Sequence, residues 1–496
     1  MTVRHLAAPR SRKLVTGILA SFGAMGAGSV AAIIVAPVMF HHLGAELFGL
    51  WVAVTALTSV ALFADLGMGN SLLTRLSTLR PGPSGQSGPS GLPGPPGAGD
   101  PEKSGGSYEP DAARMIAVAY LSVAGIAALL LATVVTISVV MPVGTLFGVT
   151  DAQTAAKVPG VLMLCFGALA VNLPLSLITK IQVAVQDTAY GAAWAAATAT
   201  WTVTAVGGAA AAGMPPLALI ALAASSAPIG HLVNSLHYFT RVRPDLRPRP
   251  WILAPDLAGG LVRLSVRYLA LSVLTSTAAS IDGYLVARWL GPIAAAHYGV
   301  AVRMLVLLNL LVTVVSTPLW PANAQALAAG DLQWVRRTTR RMCMLSAGLV
   351  GAAAAVLVAA SSPLLAAWIR SPDFHGLPAG LVALLATWPV LLATTAPMFM
   401  VQNSAGRLGP QFAGWGAYLL LSLPSKAMLV PHLGLAGIPL VNAVAFVVTV
   451  LPACVSGYRS VVTGHRPRHA VGASRSPACI PAMTGPRRSA KGRTCS

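Results

Sequence analysis

Charge is what this chain has least of. Only 9% of its 496 residues are Asp, Glu, Lys or Arg, against roughly a quarter in a soluble domain. A fully hydrated globular surface cannot be assembled from that stock. Acid is scarcer still, with 13 carboxylates against 33 Lys and Arg. The first apolar run, from Leu14 to Phe40, has no charged residue at all. The five cysteines, Cys165, Cys343, Cys454, Cys479 and Cys495, follow neither a metal-ligand spacing nor a disulfide framework. Phosphate-cradling loops and nucleophile elbows are missing from any suitable setting. No catalytic residue, metal or cofactor is expected, and the chain is not read as an enzyme.

What it has in abundance is apolar length, with 55% hydrophobic residues. Runs long enough to span a bilayer core of about 30 Å fall at 14–39, 46–67, 112–141, 158–181, 189–212, 215–237, 262–289, 293–318, 342–368, 377–400, 408–430 and 433–456. The fold class expected is therefore an all-α polytopic membrane protein of about twelve transmembrane helices. The first run has a basic start but lacks a small-residue cleavage site, so it reads as a span and not as a cleaved signal peptide.

The net charge of +20 would suggest nucleic acid in a soluble protein, but its distribution speaks otherwise. With the N-terminus inside, all but a few Lys and Arg fall on one side, and only Lys157, Arg288 and Arg370 lie outside. This is the positive-inside pattern, with both termini cytoplasmic and the chain in the cell (inner) membrane. The positive charge sets topology, so membrane lipids and not nucleic acid are the expected surroundings.

The organisation expected is a cytoplasmic start (1–13), an N-lobe of six helices (14–238), a basic inter-lobe loop (239–261), a C-lobe of six helices (262–460) and a basic disordered tail (461–496). Within the N-lobe a Gly/Pro-rich cytoplasmic loop (80–110) repeats glycine every third residue from Gly82 to Gly97. The period matches collagen, yet six triplets on one chain read as a linker with polyproline character. The halves share landmarks: Leu43-Gly44 before Phe48-Gly49 corresponds to Leu290-Gly291 before Tyr298-Gly299. Two six-helix lobes in parallel repeat would follow.

Two opposite charges sit in one hairpin of the second half. Asp282 precedes the Leu290-Gly291-Pro292 turn and Arg303 follows it, each roughly 14 to 17 Å from the turn by helical rise. An ionisable group at such depth costs about 2.5–3.5 kcal/mol even on a mild scale, so it normally meets a partner or a wet cavity. Either Asp282 and Arg303 form a structural pair, or Arg303 holds a phosphate. Tyr268, Thr275 and Asp282 recur every seven residues and form a polar stripe suited to a cavity wall. The alternative is that its hydroxyls bond back to their own helix. Asp282 is also the candidate for ion coupling. Lys426, close to the outer end of its helix, reads as a snorkelling side chain.

Leu43-Gly44, Phe48-Gly49-Leu50-Trp51, Asp65-Leu66-Gly67-Met68-Gly69-Asn70, Leu290-Gly291, Tyr298-Gly299 and Pro318-Leu319-Trp320-Pro321-Ala322 together resemble the Wzx-type O-antigen and polysaccharide flippases. These belong to the multidrug/oligosaccharidyl-lipid/polysaccharide exporter superfamily. The resemblance implies two six-helix lobes around a central cavity that opens alternately to the two sides, and a polyprenyl-pyrophosphate-linked glycan as cargo, with polysaccharide polymerase or glycosyltransferases as partners. It also implies a cationic cavity, which Arg303 and Lys426 would supply. An ion-coupled multidrug or cation exporter of the same superfamily is the rival reading; the lack of a carboxylate in the first helix counts against it. A membrane glycosyltransferase or polymerase is a further rival, opposed by short outer loops with few acid/base candidates.

Overall fold

The computed structural model describes residues 8–62, 72, 76, 110–185, 187–248, 270–316, 319–371, 374 and 376–464. The glycine-triplet loop, the Asp65–Asn70 motif, Tyr268 and the basic tail lie outside the described residues. Those described form helices and connecting turns with no strand. The first half contributes α1 (Ala8–Leu62), α2 (Pro110–Val140), α3 (Ala152–Ala184), α4 (Thr188–Ala211) and α5 (Pro216–His237). The second contributes α6 (Ala270–Ser280), α7 (Asp282–Leu290), α8 (Pro292–Met304), α9 (Val306–Ser316), α10 (Leu319–Ala328), α11 (Leu332–Ala359), α12 (Ser361–Ile369), α13 (Ala379–Ser404), α14 (Gly409–Leu433), α15 (Gly437–Ala445) and α16 (Leu451–Gly464).

Among the described residues, eight helices are long and apolar enough to cross a membrane, or nine if the bent pair α6–α7 counts as one span. The chain is thus an all-α, multi-pass membrane protein. Two of the eight, Leu19–Val60 and Gly409–Thr463, are 42 and 55 residues long. They would reach about 60 and 80 Å if straight, twice the core thickness or more. Each is broken at a glycine, Gly44 (φ 71°) or Gly434 (φ 59°).

Local chemistry explains the helix starts. The Asp151 carboxylate accepts from the Thr154 N–H at 2.7 Å, and Asp331 does the same for Trp334 at 2.9 Å, each capping an otherwise orphaned donor. Hydrogen bonding by Thr154 holds the Asp151 carboxyl below the ordinary aspartate value. Pro216 and Pro292 open α5 and α8, where a missing N–H costs nothing. Inside the spans, Thr and Ser hydroxyls bond back to carbonyls one turn earlier, as at Thr198, Thr202 and Thr395, so few helix faces need a polar partner.

The two halves meet through α1, whose second arm lies against α7 and α8. Here the backbones nearly touch. A Cβ on Gly49 would stand 1.6 Å from the Pro292 carbonyl oxygen, and one on Gly299 would stand 2.5 Å from Val52. The equivalence of the two glycine turns holds in detail: Gly44 has φ 71°, ψ 168° and Gly291 has φ 90°, ψ 166°. That region is open in practice to glycine alone. At the same end, the Trp368 indole N–H donates to the Ile33 carbonyl at 3.0 Å, and Phe374 meets both Phe40 and His297. Contacts between the two halves of the chain thus gather near the Gly44 and Gly291 turns.

Candidate functional site

The buried charges do not pair as the hairpin arithmetic suggests. Asp282 is 3% exposed, and its partner is Lys426, 0% exposed, with Nζ 2.5 Å from Oδ1. Asn442 Nδ2 donates to the other carboxylate oxygen at 2.6 Å. The Tyr418 hydroxyl in turn donates to Asn442 Oδ1 at 2.6 Å. α7, α14 and α15 are thereby tied by a neutral, hydrogen-bonded unit. Trp388 and Trp415 pack on Tyr418, and Phe446 packs on both of these tryptophans.

Two expectations are corrected here, each for a physical reason. The seven-residue stripe presumes one continuous helix, whereas α6 and α7 meet at a 44° bend immediately before Asp282. Just past the bend the carboxylate meets α14 and α15. Lys426 does not snorkel outward, because an anion lies within direct reach and neutralising it spares both groups an uncompensated charge. Thr275 donates back to Leu271 and Ser272 of its own helix, the second of the two readings of that stripe. Tyr268 lies outside the described residues.

Arg303 faces the other way, toward α1. It sits in the span expected at 293–318, which runs from Pro292 to Ser316 with only Leu305 out of regular helix. Its guanidinium carbon stands 4.8 Å from the Trp51 ring centre and 5.2 Å from that of Phe48, within cation–π range. Nη1 donates to the Gly299 carbonyl at 3.2 Å. Among the described residues no carboxylate pairs with it. The structural Asp282–Arg303 pair is therefore absent.

Trp51 also belongs to a second feature. A cavity of about 190 Å³ opens between α1, α3 and α5, with Trp51, Thr55, Thr58, Ser59, Asn172 and Pro228 in its wall. Asn172 is held from behind by His231, whose Nδ1 donates to Oδ1 at 2.8 Å. Further polar pairs follow the same seam toward its other end. Gln182 bonds Asn234 at 2.7 Å, and the Tyr238 hydroxyl donates to Asp187 at 2.7 Å. Sequence reasoning missed this seam. It also missed Tyr418 and Ser422, which with Lys426 recur every four residues along α14 and are all fully buried. That spacing was a readable sign of a polar inward face.

No family model matches the chain, and no curated protein does. Solved structures do. The lipid II flippase MurJ in an inward closed conformation aligns at 12% identity over 91% of this chain and 90% of its own, with a TM-score of 0.61. An inward-facing multidrug resistance MATE family transporter of the MOP superfamily aligns at 14% over 89% and 96%, with a TM-score of 0.61. A Vibrio cholerae MATE transporter aligns at 14% over 92% and 98%, with a TM-score of 0.60. At such identities the likeness is one of fold, and it stops short of singling out the polysaccharide flippases. The chain has the polytopic, all-α fold shared by these solved structures of MurJ and the MATE transporters.

Proposed function

We propose that the protein is a non-enzymatic, alternating-access transporter that moves an anionic lipid-linked saccharide across the cytoplasmic membrane. The broken helices Leu19–Val60 and Gly409–Thr463 would each cross twice, and α4 would complete twelve crossings in two lobes. The positive-inside pattern supports cytoplasmic termini. On that orientation the end where Gly49 meets Pro292 is the outer one, and the cargo would enter from inside.

One observation carries the choice of cargo. Arg303 is a guanidinium at the junction of the halves with no paired carboxylate among the described residues, whereas Asp282, the one buried carboxylate described, is already neutralised by Lys426. Such a site favours a phosphate over a cation. An apolar groove of about 590 Å³ between α9 and α11, lined by Leu307, Leu311, Leu349 and Val356, begins one turn beyond Arg303. A polyprenyl chain attached to that phosphate would lie there.

The second reading is a multidrug exporter. The comparisons lean toward it, since MATE transporters recur among the similar structures. Deleting the gene from its host separates the two. The first reading expects lipid-linked glycan to accumulate on the inner leaflet, with rescue by the wild-type protein and not by Arg303→Ala. Unchanged lipid-linked glycan together with new sensitivity to lipophilic cations would establish the exporter instead.

A further inference from the structure

We infer that the α1–α3–α5 cavity is a subsite for one uncharged sugar ring, sharing Trp51 with Arg303; this rests on the saccharide reading above. The wall has no ionised group: Trp51, Thr55, Thr58, Ser59, Cys165, Asn172 and small apolar residues make it up. A cation or a phosphate would lose its hydration there with nothing to replace it. A polyol has no such difficulty, because each hydroxyl both donates and accepts.

The polar groups are presented in the forms a polyol needs. The Thr55, Thr58 and Ser59 hydroxyls each donate to their own helix, to the carbonyls of Val52, Thr55 and Thr55. Their oxygen lone pairs are left to accept. Asn172 is 8% exposed, and its Oδ1 is engaged by His231, so its NH2 group is the natural donor to the cavity. Pro228 has no N–H to give the Ala224 carbonyl four residues earlier, and both residues are in the wall. That supplies a backbone acceptor on the face opposite α1. An indole beside such groups suits a ring with an apolar C–H face and polar edges.

Trp51 is common to both parts of the site, contributing to the cavity wall and standing 4.8 Å from the Arg303 guanidinium carbon. A sugar in the cavity and its phosphate at Arg303 would then share the Trp51 indole. The volume, about 190 Å³, is below the usual 300–1,000 Å³ of a complete ligand pocket, which fits one ring as part of a larger ligand.

The test is equilibrium binding to the full chain in lipid nanodiscs, with undecaprenyl diphosphate as one probe and the same lipid bearing a single neutral hexose as the other. The hexose should tighten binding about tenfold, the equivalent of one or two net hydrogen bonds. Thr58→Val and Asn172→Ala, each checked for unchanged thermal unfolding, should remove most of that gain, while Arg303→Gln weakens both lipids. Equal binding of the two lipids by the wild type, with Arg303 still required, would overturn the sugar subsite and leave the saccharide-lipid reading standing. A hexose preference that survives both cavity substitutions would also overturn it. Binding of neither lipid, with tetraphenylphosphonium bound instead, would overturn both.

Discussion

Lys426 lies 2.5 Å from Asp282 across 144 residues of sequence, and neither side chain reaches the surface. The pair joins the bent start of α7 to α14, so its effect is on how the second half is held together. Removing one partner strands a buried charge, whereas removing both does not. Lys426→Met should therefore lower stability by about 3–5 kcal/mol, and Asp282→Asn combined with Lys426→Met should recover much of the loss. Thermal or denaturant unfolding in detergent, arranged as a double-mutant cycle, measures this.

Arg303 provides the sharpest functional variant. A lysine keeps the charge but has neither the planar fork nor the same stacking on Trp51 and Phe48. Arg303→Gln should reduce transport at least about tenfold at equal expression, the scale of losing one charge-assisted contact. Arg303→Lys should fall between it and the wild type. Initial rates in inverted vesicles, normalised to protein, check the order.

Gly49 controls how closely the halves meet. Gly49→Val puts a side chain into the Pro292 carbonyl, and forcing such a contact costs about 1–3 kcal/mol. The variant should open the Gly44–Gly291 end, which reads out as faster labelling by an impermeant thiol reagent of a cysteine placed at Ala296. Gly351→Ala, where a Cβ meets nothing within 4 Å, is the matched control and should label like the parent.

Topology is tested by cysteine accessibility. In intact cells an impermeant maleimide should leave the native tail cysteines, Cys479 and Cys495, unlabelled and should label Arg370→Cys on a background without other cysteines. Inverted vesicles should give the opposite pattern. The assignment follows from where Lys and Arg cluster.

Much of the fold was legible because hydrophobic length reports directly on a bilayer. The run at 189–212 is α4 within a residue or so, and the run at 215–237 matches α5. Gly44 and Gly291 were legible as turns because their conformation leaves few alternatives to glycine. Helix continuity was not legible. Nothing in the sequence around Ile281 announces a break, and the bend before Asp282 decides which neighbour its carboxylate meets.

The candidate site was half legible for the same reason. Single buried charges stand out against an apolar background, so Asp282, Arg303 and Lys426 were all identifiable. Pairing them requires knowing which helices touch, and counting from a turn gives depth but no direction. The Asn172–His231 contact joins neutral residues of two helices, and neutral polar residues carry no comparable signal in a chain rich in Ser and Thr.

The central claim is that the cargo is an anionic lipid-linked saccharide recognised at Arg303, and reconstituted transport tests it most directly. Proteoliposomes loaded with a fluorescent undecaprenyl diphosphate saccharide would be followed by quenching from outside. The account predicts translocation by the wild-type protein, its loss in Arg303→Gln, and no competition from tetraphenylphosphonium. Translocation unaffected by Arg303→Gln, or transport of tetraphenylphosphonium with the saccharide lipid left in place, would contradict it.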